Sequence, residues 1–547
     1  MRRCQLLALL TTILLIAPLT SIGPANAAAQ WPSPPSTLYS PDLSVFPDAS
    51  SGYPRAVRLI HSGSSQTILA TFAKERHQAP TSLPIYTSSD AGATWTQISE
   101  IHAHHPGWSI EAPTLFEVPR DVPGLRAGDL LAAGTAWEIG DYRQQAVEVF
   151  HSQDKGETWS YLSSCTQTNA LPNTWGHGIW EPAFWMGADG TLACYISDER
   201  PAQSVTNNQI IGHYTSHDGG KSWSSTIKAD VAFPNDPLAR PGMQTFAQLP
   251  DGRVAMSYEM CRDATDPDHA CEAYLKISPD GLSWGTADDP GQRIETADHR
   301  ELLHTPYITW LPSGGGNGTL VVTGQRVTAG PTGSKTVLDE SGAVALSNTD
   351  LGQGPWQEMP LPIQVSPTGS YAPGAPACPG YSSPVIPLAD GGSFLHFAAT
   401  WLGRGNQCKI EVAQGELPQF TSQLIGPADL CLDVDTNTSR NGNRAQLWDC
   451  NEASGQRWSY GRDGSLSALG KCLDVDAQGT ANHTKVQLWE CNGSGAQRWV
   501  LRPDNSLFNP QSGKCLDDPQ GSTSRGTGLQ IYDCNGLWTQ QWRIKAS

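Results

Sequence analysis

The chain has 547 residues, with 35 lysines and arginines against 53 aspartates and glutamates, for a formal net charge of -18 at pH 7. That length exceeds what one hydrophobic core organises, so two or more domains are expected. The acidic balance excludes a nucleic-acid partner, which would need a basic face, and fits an uncharged or cationic ligand or simple solubility.

The first segment reads as a secretory signal peptide. Arg2 and Arg3 precede a run rich in Leu, Ile and Ala from Gln5 to Thr20, and Ala25-Asn26-Ala27 is a small-x-small cleavage site. Residues 1–27 are therefore expected to leave, with a mature start near Ala28. No second apolar stretch has spanning length, so the protein is expected to be secreted, extracellular and without a membrane anchor. Of thirteen cysteines Cys4 leaves with the leader, and the remaining twelve suit disulfides in an exported chain. No CxxC or HExxH cluster occurs, so no metal and no cofactor are expected.

Downstream, short apolar runs alternate with Gly, Asp, Asn and Pro turns, and no long helical period is present. That pattern predicts an all-β chain. The motif Ser-x-Asp-x-Gly-x-x-Trp occurs at Ser88, Asp90, Gly92, Trp95, again at Ser152, Asp154, Gly156, Trp159, and again at Ser216, Asp218, Gly220, Trp223. A shortened copy is Ser278, Asp280, Gly281, Trp284, and a worn copy runs from Ser347 through Asp350 and Gly352 to Trp356. Asp can satisfy turn N–H groups, Gly allows positive φ and Trp anchors the turn on its sheet, so these residues are read as structural. A second repeat runs in step with the first: a proline, an apolar strand, a turn and another apolar strand. Its prolines are Pro54, Pro113, Pro182, Pro241, Pro306 and Pro384. Six copies of this period predict a six-bladed β-propeller of four-stranded sheets.

The repeated turn resembles the Asp box of sialidase-like propellers, over roughly residues 40 to 417. The fold it implies is host to enzymes and non-enzymes alike. In a propeller the innermost strands crowd the axis, so residues beside each leading proline and at the end of the following strand are expected to share one funnel. Those positions hold Tyr53, Arg55, Arg58, Glu75, Arg76, Glu111, Glu138, Trp180, Glu181, Asp198, Glu199, Arg200, Arg240, Tyr258, Glu259, His304, Arg326, Tyr381 and Trp401. Carboxylates and arginines at a shared axis are costly unless paired or functional. Aromatic rings beside them suit sugars, whose faces are apolar. Glycoside hydrolysis uses two carboxyl groups, and Glu181 with Glu259, from adjacent blades, is the expected catalytic pair. Tyr53, Arg55, Arg76, Trp180, Arg200, Tyr258, Arg326 and Tyr381 are the expected substrate-binding residues.

Two enzyme families share this scaffold. Sialidases grip a carboxylate with three arginines and use a Tyr with a Glu partner. Arg55, Arg76, Glu181, Arg200 and Tyr381 fall near those places, but His77-Gln78-Ala79-Pro80-Thr81 has no acid and His304-Thr305-Pro306 has no third arginine. The exo-α-1,5-L-arabinanases use two glutamates, and Gly52-Tyr53-Pro54-Arg55, Trp180-Glu181-Pro182, Ser197-Asp198-Glu199-Arg200 and Ser257-Tyr258-Glu259 resemble their motifs. That resemblance, the favoured one, implies a retaining mechanism releasing arabinobiose from chain ends. Position in sialidases assigns Glu181 as nucleophile and Glu259 as acid/base, with the reverse as the alternative.

From Leu424 the sequence repeats three times. The units are Cys431-Leu432-Asp433-Val434 with Gln446-Leu447-Trp448-Asp449-Cys450-Asn451 and Gln456-Arg457-Trp458, then Cys472-Leu473-Asp474-Val475 with Gln487-Leu488-Trp489-Glu490-Cys491-Asn492 and Gln497-Arg498-Trp499, then Cys515-Leu516-Asp517-Asp518 with Gln530-Ile531-Tyr532-Asp533-Cys534-Asn535 and Gln540-Gln541-Trp542. This resembles a ricin-B-type β-trefoil lectin of the QxW class. The resemblance, together with the constant spacing of 19 residues, pairs Cys431 with Cys450, Cys472 with Cys491 and Cys515 with Cys534. It implies sugar sites at Asp433, Gln446, Trp448 and Asn451, at Asp474, Gln487, Trp489 and Asn492, and at Asp517, Gln530, Tyr532 and Asn535. The places before the QxW glutamines, often Asn in that class, hold Gly455, Ala496 and Thr539. In the propeller, proximity in sequence pairs Cys165 with Cys194, Cys261 with Cys271 and Cys378 with Cys408.

The expected organisation is thus a signal peptide over 1–27, a catalytic propeller over 28–417 and a carbohydrate-binding trefoil over 418–547. The expected activity is glycoside hydrolysis on an arabinan-like polysaccharide, with galactose- or arabinose-type sugars at the trefoil and the chain a monomer. The alternatives are an exo-α-sialidase and a non-catalytic lectin.

Overall fold

The computed structural model describes residues 34–544 apart from 62–65, 76–78, 169–177, 201–208, 263–270, 313–316, 331–334, 367–376, 390–391, 418–420, 461–464 and 502–505. All regular structure described is β-strand and short 3-10 turn. β1 (Ser36–Tyr39) is followed by β2 (Ser50–Arg58), β3 (Ile68–Glu75), β4 (Ser82–Ser88) and β5 (Thr96–His102), the last four pairing in chain order as one antiparallel sheet. A second sheet is β6 (Trp108–Glu117), β7 (Leu130–Glu138), β8 (Asp141–Ser152) and β9 (Ser160–Gln167). A third is β10 (Ile179–Met186), β11 (Leu192–Asp198), β12 (Ile210–Ser216) and β13 (Lys228–Val231).

The next strands are β14 (Arg240–Gln248), β15 (Val254–Cys261), β16 (Glu272–Ser278), β17 (Gln292–Arg293), β18 (Arg300–Leu303), β19 (Tyr307–Leu311), β20 (Thr319–Thr323), β21 (Arg326–Ala329), β22 (Thr336–Val337), β23 (Val344–Asn348) and β24 (Gln357–Pro360). Of these β14 to β18 with β21 and β22 make one seven-stranded sheet, and β19, β20, β23 and β24 make another of four. Finally β25 (Val385–Pro387), β26 (Ser393–Trp401) and β27 (Cys408–Glu416) are completed by β1, so the first strand closes the last sheet.

The expectation of six four-stranded blades is corrected in one place: five of these sheets have four strands and the sheet built on β14 has seven. The extra strands are connecting chain drawn in through Glu272 opposite Leu303 and Leu303 opposite Arg326. A charged cluster fixes that extension. Arg293 bridges Glu272 at 3.1 Å and Glu301 at 3.0 Å, and buried Lys335 meets Glu301 at 2.8 Å. Charges this deep persist only when paired.

The repeated turn carries its own hydrogen bonds. Ser88 Oγ accepts from Gly92 N at 2.8 Å, Asp90 Oδ1 accepts from Thr94 N at 2.9 Å, and Trp95 Nε1 donates to Gly92 O at 3.0 Å. Gly92 lies at φ +92°, and a Cβ there would meet Leu395 of the neighbouring sheet at 2.4 Å, so both backbone and packing require glycine. The worn copy starts one residue later than expected. Asn348 Oδ1, not Ser347, accepts from Asp350 N and Gly352 N, both at 2.8 Å, because an amide oxygen can take the hydroxyl's place.

In the C-terminal region each repeat contributes a hairpin: Cys431–Val434 with Asn443–Trp448, Lys471–Val475 with Thr484–Trp489, and Lys514–Asp517 with Gln530–Tyr532. Trp458, Trp499 and Trp542 fill one shared core, each donating its indole N–H to a leucine carbonyl of its own repeat. Gln456, Gln497 and Gln540 are buried and each accepts from the backbone N–H of Asn451, Asn492 or Asn535. Six disulfides join Cys165–Cys194, Cys261–Cys271, Cys378–Cys408, Cys431–Cys450, Cys472–Cys491 and Cys515–Cys534.

Candidate active site and sugar sites

The leading prolines mark a recurring backbone device. Each of the first four inner strands carries a break in register, between Gly52 and Arg55, Glu111 and Thr114, Trp180 and Ala183, and Gly242 and Thr245. Within these breaks Tyr53, Ala112, Glu181 and Met243 have φ between 49° and 61°, and Thr305 and Ser382 do the same at the entries of the last two inner strands. Such bulges free one residue from the ladder and re-aim its side chain. Proline, without an N–H to lose, suits the neighbouring position. Holding a non-glycine residue at positive φ costs stability, which makes six such places on one set of strands a functional pointer.

Side chains stitch these bulges together. Glu181 Oε2 accepts from Ser197 Oγ at 2.6 Å and from the backbone N of Met243, in the next sheet, at 2.7 Å. Glu259 Oε2 accepts from the backbone N of Thr305, one sheet further, at 2.5 Å. Ser382 N donates to Thr305 Oγ1 at 2.9 Å, and Arg55 Nη1 donates to Ser382 Oγ at 2.5 Å. Tyr53 Oη lies 3.5 Å from Met243 Sδ, its ring is 6.1 Å from that of Tyr381, and the Arg55 guanidinium lies 4.2 Å over it.

Burial sets the protonation of the two glutamates apart. It pushes Glu259 up to about 8, with the charge of Glu181 adding to the effect and a single backbone donor opposing it. It also raises Glu181, but there the hydrogen bonds from Ser197 and Met243 favour the ionised form. His304 Nδ1 is 3.9 Å from Glu259, and burial with the nearby Arg326 charge lowers that histidine to about 3, so it is neutral. One carboxyl raised with little compensation beside one whose charged form accepts two hydrogen bonds is an arrangement that suits acid-assisted glycoside cleavage. Glu259, Cys261, Cys271 and His304 gather potential ligand atoms within 4.8 Å, but the two sulfurs are joined to each other and offer no thiolate to a metal.

Register explains which expected residues face this cluster. On the second strands Ser197 stands opposite Trp180 and Glu259 opposite Gly242, and alternate residues share a face. Tyr258 therefore points the other way. Its ring is fully buried between sheets, 5.7 Å from Tyr274, and its hydroxyl donates to Pro290 O at 2.6 Å. The expectation that Tyr258 binds substrate is corrected: it is core. Arg200 is partly exposed and is anchored from that same far side. Asp198, also on the far face, holds its guanidinium at 2.9 and 2.6 Å, and Tyr214 on the third strand accepts at 2.9 Å. Trp180 packs edge-on to Trp137 at 6.3 Å, Arg326 acts on Glu259 through its charge, and Arg240 pairs with Glu199. Arg76 lies outside the described residues. Thr305, Met243 and Ser197, which hold the two glutamates, were not expected. The first two come from the same pre-strand positions, where the nearby prolines Pro241 and Pro306 were the sequence signal.

In the trefoil the aspartates are already held. Asp433 accepts from Gln446 at 2.8 Å, Asp474 from Gln487 at 3.2 Å and Gln497 at 3.1 Å, and Asp517 from Gln530 at 2.8 Å and Gln540 at 3.1 Å. Trp448 and Trp489 are each 38% exposed beside them. The side-chain oxygens of Asn451, Asn492 and Asn535 cap the following turns, accepting from Ala453, Ser494 and Leu537. The third site opens on a cavity of about 420 Å³ lined by His483, Asp517, Tyr532, Asn535, Leu537 and Trp538. Leu537 and Trp538 stand where the other repeats have Ala453-Ser454 and Ser494-Gly495, an apolar substitution in an exposed turn that aligning the repeats would reveal. Asp518 takes the place of the core residues Val434 and Val475, and burial with the Asp517 charge pushes it up to about 7.

Residues 420–542 match the family model of the ricin-type beta-trefoil lectin domain. Within the chain, 73 residues are 42% identical to a glucan endo-1,3-beta-glucosidase of Cellulosimicrobium cellulans, covering 13% of each protein. Among solved structures, the alpha-L-arabinanase of Penicillium chrysogenum complexed with arabinobiose is similar at 26% identity and TM-score 0.57, over 70% of this chain and 98% of that one. The alpha-L-arabinofuranosidase of Fusarium graminearum, also with arabinobiose, has the same fold at 23% identity and TM-score 0.57, with the same coverage. The chain thus shares the propeller fold of these two enzymes over 70% of its length and carries a ricin-type trefoil at residues 420–542. Its propeller is similar to arabinanases, in preference to sialidases.

Proposed function

We propose that the protein is a secreted, retaining, exo-acting arabinanase that releases arabinobiose from the ends of α-1,5-arabinan, with the trefoil holding it to polysaccharide. Glu259 is the acid that protonates the departing oxygen, and Glu181 is the nucleophile. The observation that carries this reading is the unequal treatment of the two carboxyls: Glu181 accepts two hydrogen bonds, while Glu259 is buried with one and raised to about 8. A nucleophile needs its charge held ready and an acid needs its proton retained. The likeness to an arabinanase complexed with arabinobiose supports the choice of sugar. Secretion follows from the leader over residues 1–27, and extracellular polysaccharide is the substrate an exported hydrolase meets.

The test is product analysis on linear arabinan and on a model sialoside. Arabinobiose with retained anomeric configuration supports the reading, and release of sialic acid refutes it. Azide added to Glu181→Ala and Glu259→Ala then separates the roles. Rescue of the first with an inverted product, and of the second with a retained one, is expected.

A further inference from the structure

The three trefoil repeats share one plan, a carboxylate beside one platform ring, and the third departs from it around its site. Gly442 and Gly526 donate their backbone N–H to Leu488 O and Leu447 O, and His483 donates to Ile531 O, so the three hold equivalent places. A Cβ on Gly442 would come within 3.8 Å of Gln487 Oε1, and one on Gly526 within 3.7 Å of Trp448, which puts each place beside the site of another repeat. The backbone φ is 78° at Gly442, 82° at Gly526 and 69° at His483, so a histidine stands in a conformation for which the other two places use glycine. Its Nδ1 lies 3.2 Å from Gln530 Oε1 and its ring meets that of Tyr532 at 5.1 Å in a T-shape, which fixes the platform ring of the third site.

Two more segments change with it. Leu537 and Trp538, at the places of Ala453-Ser454 and Ser494-Gly495, stand 56% and 49% exposed. The short turn Pro519–Gly521 ends in glycine where its counterparts end in Asn437 and Gln478. A Cβ on Gly521 would lie 3.0 Å from the Trp538 ring, so the missing side chain makes the room that the ring takes. In the first repeat Asn437 uses that room, its Oδ1 accepting from Gly455 N at 2.6 Å. His483, Tyr532, Leu537 and Trp538 then line one cavity of about 420 Å³ together with Asp517, and no lysine or arginine among the described residues lines it. Asp517 already accepts from Gln530, Gln540 and Thr539, which leaves it little capacity for sugar hydroxyls and shifts the contact toward ring faces.

We infer that the third repeat is a two-unit site for a neutral polysaccharide: one sugar rests on Tyr532 beside Asp517, and its covalent neighbour rests on Trp538 and Leu537. The first two repeats, with one ring each, take one unit. A sugar has an apolar face that stacks on a ring, and two consecutive units of a polymer present two such faces already joined. A second ring in the same cavity gains the neighbour's contact without the cost of ordering a second free ligand. An exposed tryptophan and leucine in line with a sugar site are apolar surface that such a neighbour covers. The inference rests on the reading that the trefoil holds polysaccharide, and it names the repeat that recognises more than one sugar.

The test is calorimetric titration of the full chain with single units, dimers and trimers of 1,5-linked arabinose and of 1,4-linked galactose. The chain carries Glu181→Gln to prevent turnover, and Trp448→Ala with Trp489→Ala to silence the first two sites. Binding that survives a further Tyr532→Ala belongs to the propeller and is subtracted. In one of the two series the dimer should bind at least about tenfold more tightly than the single unit, and the trimer should stay within about threefold of the dimer. Trp538→Ser, which restores the residue of the first repeat, should shrink the step from one unit to two by at least about threefold and leave the single unit within about twofold. Gly521→Asn, which crowds the same ring, should shrink that step too, so that one misfolded variant leaves the other to decide. His483→Gly should weaken single unit and dimer alike. Equal affinity for the two, a step unchanged in both ring variants, or no binding that depends on Tyr532 overturns this inference. Retention of the wild type on insoluble polysaccharide then shows whether the reading of the trefoil stands without it or falls with it.

Discussion

The propeller and the trefoil both hold carboxyl groups at their candidate sites, and they surround them in opposite ways. In the trefoil, Asp433, Asp474 and Asp517 sit on regular hairpins and each accepts from a glutamine amide before any ligand arrives. In the propeller, Glu181 sits at positive φ in a break of register, and Glu259 is buried with one backbone donor and a like charge nearby. A carboxylate whose oxygens already accept amide hydrogen bonds is oriented to receive a sugar hydroxyl, which suits binding. A carboxyl denied compensation keeps a proton it can give away, which is chemistry. The difference lies in the surroundings, since the residue types are nearly the same.

The largest effect should come from removing that proton donor. Glu259→Gln is expected to lower turnover on arabino-oligosaccharides by roughly 10²- to 10⁴-fold, the usual range for general acid catalysis. Glu181→Gln should cost at least as much. Neither should disturb sugar binding by the trefoil, as measured by retention on polysaccharide. The same variant has a thermodynamic signature. Glu259 is raised from 4.5 to about 8 in the folded protein, so the folded state binds its proton more tightly than the unfolded chain. Its contribution to stability is therefore lost as pH climbs through that window. Turnover of the wild type should fall above about pH 8, and the thermal midpoint of Glu259→Gln should gain on the wild type between about pH 5 and pH 8. A gap in midpoint that stays constant with pH would remove the contrast drawn between the two regions.

The trefoil contains its own exception, which sharpens the contrast. Asp518 occupies a place filled by valine in the other two repeats and is 1% exposed, and among the described residues only the backbone N–H of Ser522 offsets its burial. Asp518→Val should stabilise the trefoil by about 1–3 kcal/mol, the usual cost of burying an uncompensated polar group. Because burial and Asp517 raise Asp518 to about 7, the gain should be larger near pH 8 than near pH 4. Denaturant unfolding followed at the two pH values measures it. No gain at either pH would mean that Asp518 is compensated by solvent reaching the third cavity.

Much of this was legible in the sequence, and the rest was not for identifiable reasons. The trefoil repeats, the six cysteine pairs and the inner-strand prolines are local patterns, and each signals one local requirement: a turn, a loop length, a missing donor. The residues around the glutamates follow from strand phase. Ser257-Tyr258-Glu259 suggests an aromatic platform beside an acid, but neighbours on a strand face opposite ways, so Glu259 enters the funnel and Tyr258 enters the core. The reverse happens at Tyr53 and Glu181, where a bulge interrupts alternation and a proline is its one visible trace. Tyr258→Phe tests this directly. It should leave turnover within about twofold and cost about 1 kcal/mol of stability, the worth of its hydrogen bond to Pro290. A large loss of turnover with unchanged stability would return Tyr258 to the substrate side.

The smallest change in turnover is expected from the largest change in the chain. If the trefoil binds and the propeller reacts, deleting residues 418–547 removes three sites that touch no bond being broken. Each site alone offers one carboxylate, one ring and a few polar groups, with Trp448 and Trp489 only partly exposed, so each should bind weakly. Together on a repeating polymer they raise the effective concentration of the propeller near chain ends without adding a contact to the reacting sugar. Turnover on short soluble oligosaccharides should then stay within about twofold of the full chain. Retention on insoluble polysaccharide should fall by at least about tenfold, the low end of what multivalent attachment provides. Equal loss on both substrates would mean that the trefoil supports the propeller's fold, and the division between holding and reacting would fail. No loss on either would mean that the held aspartates serve a different ligand.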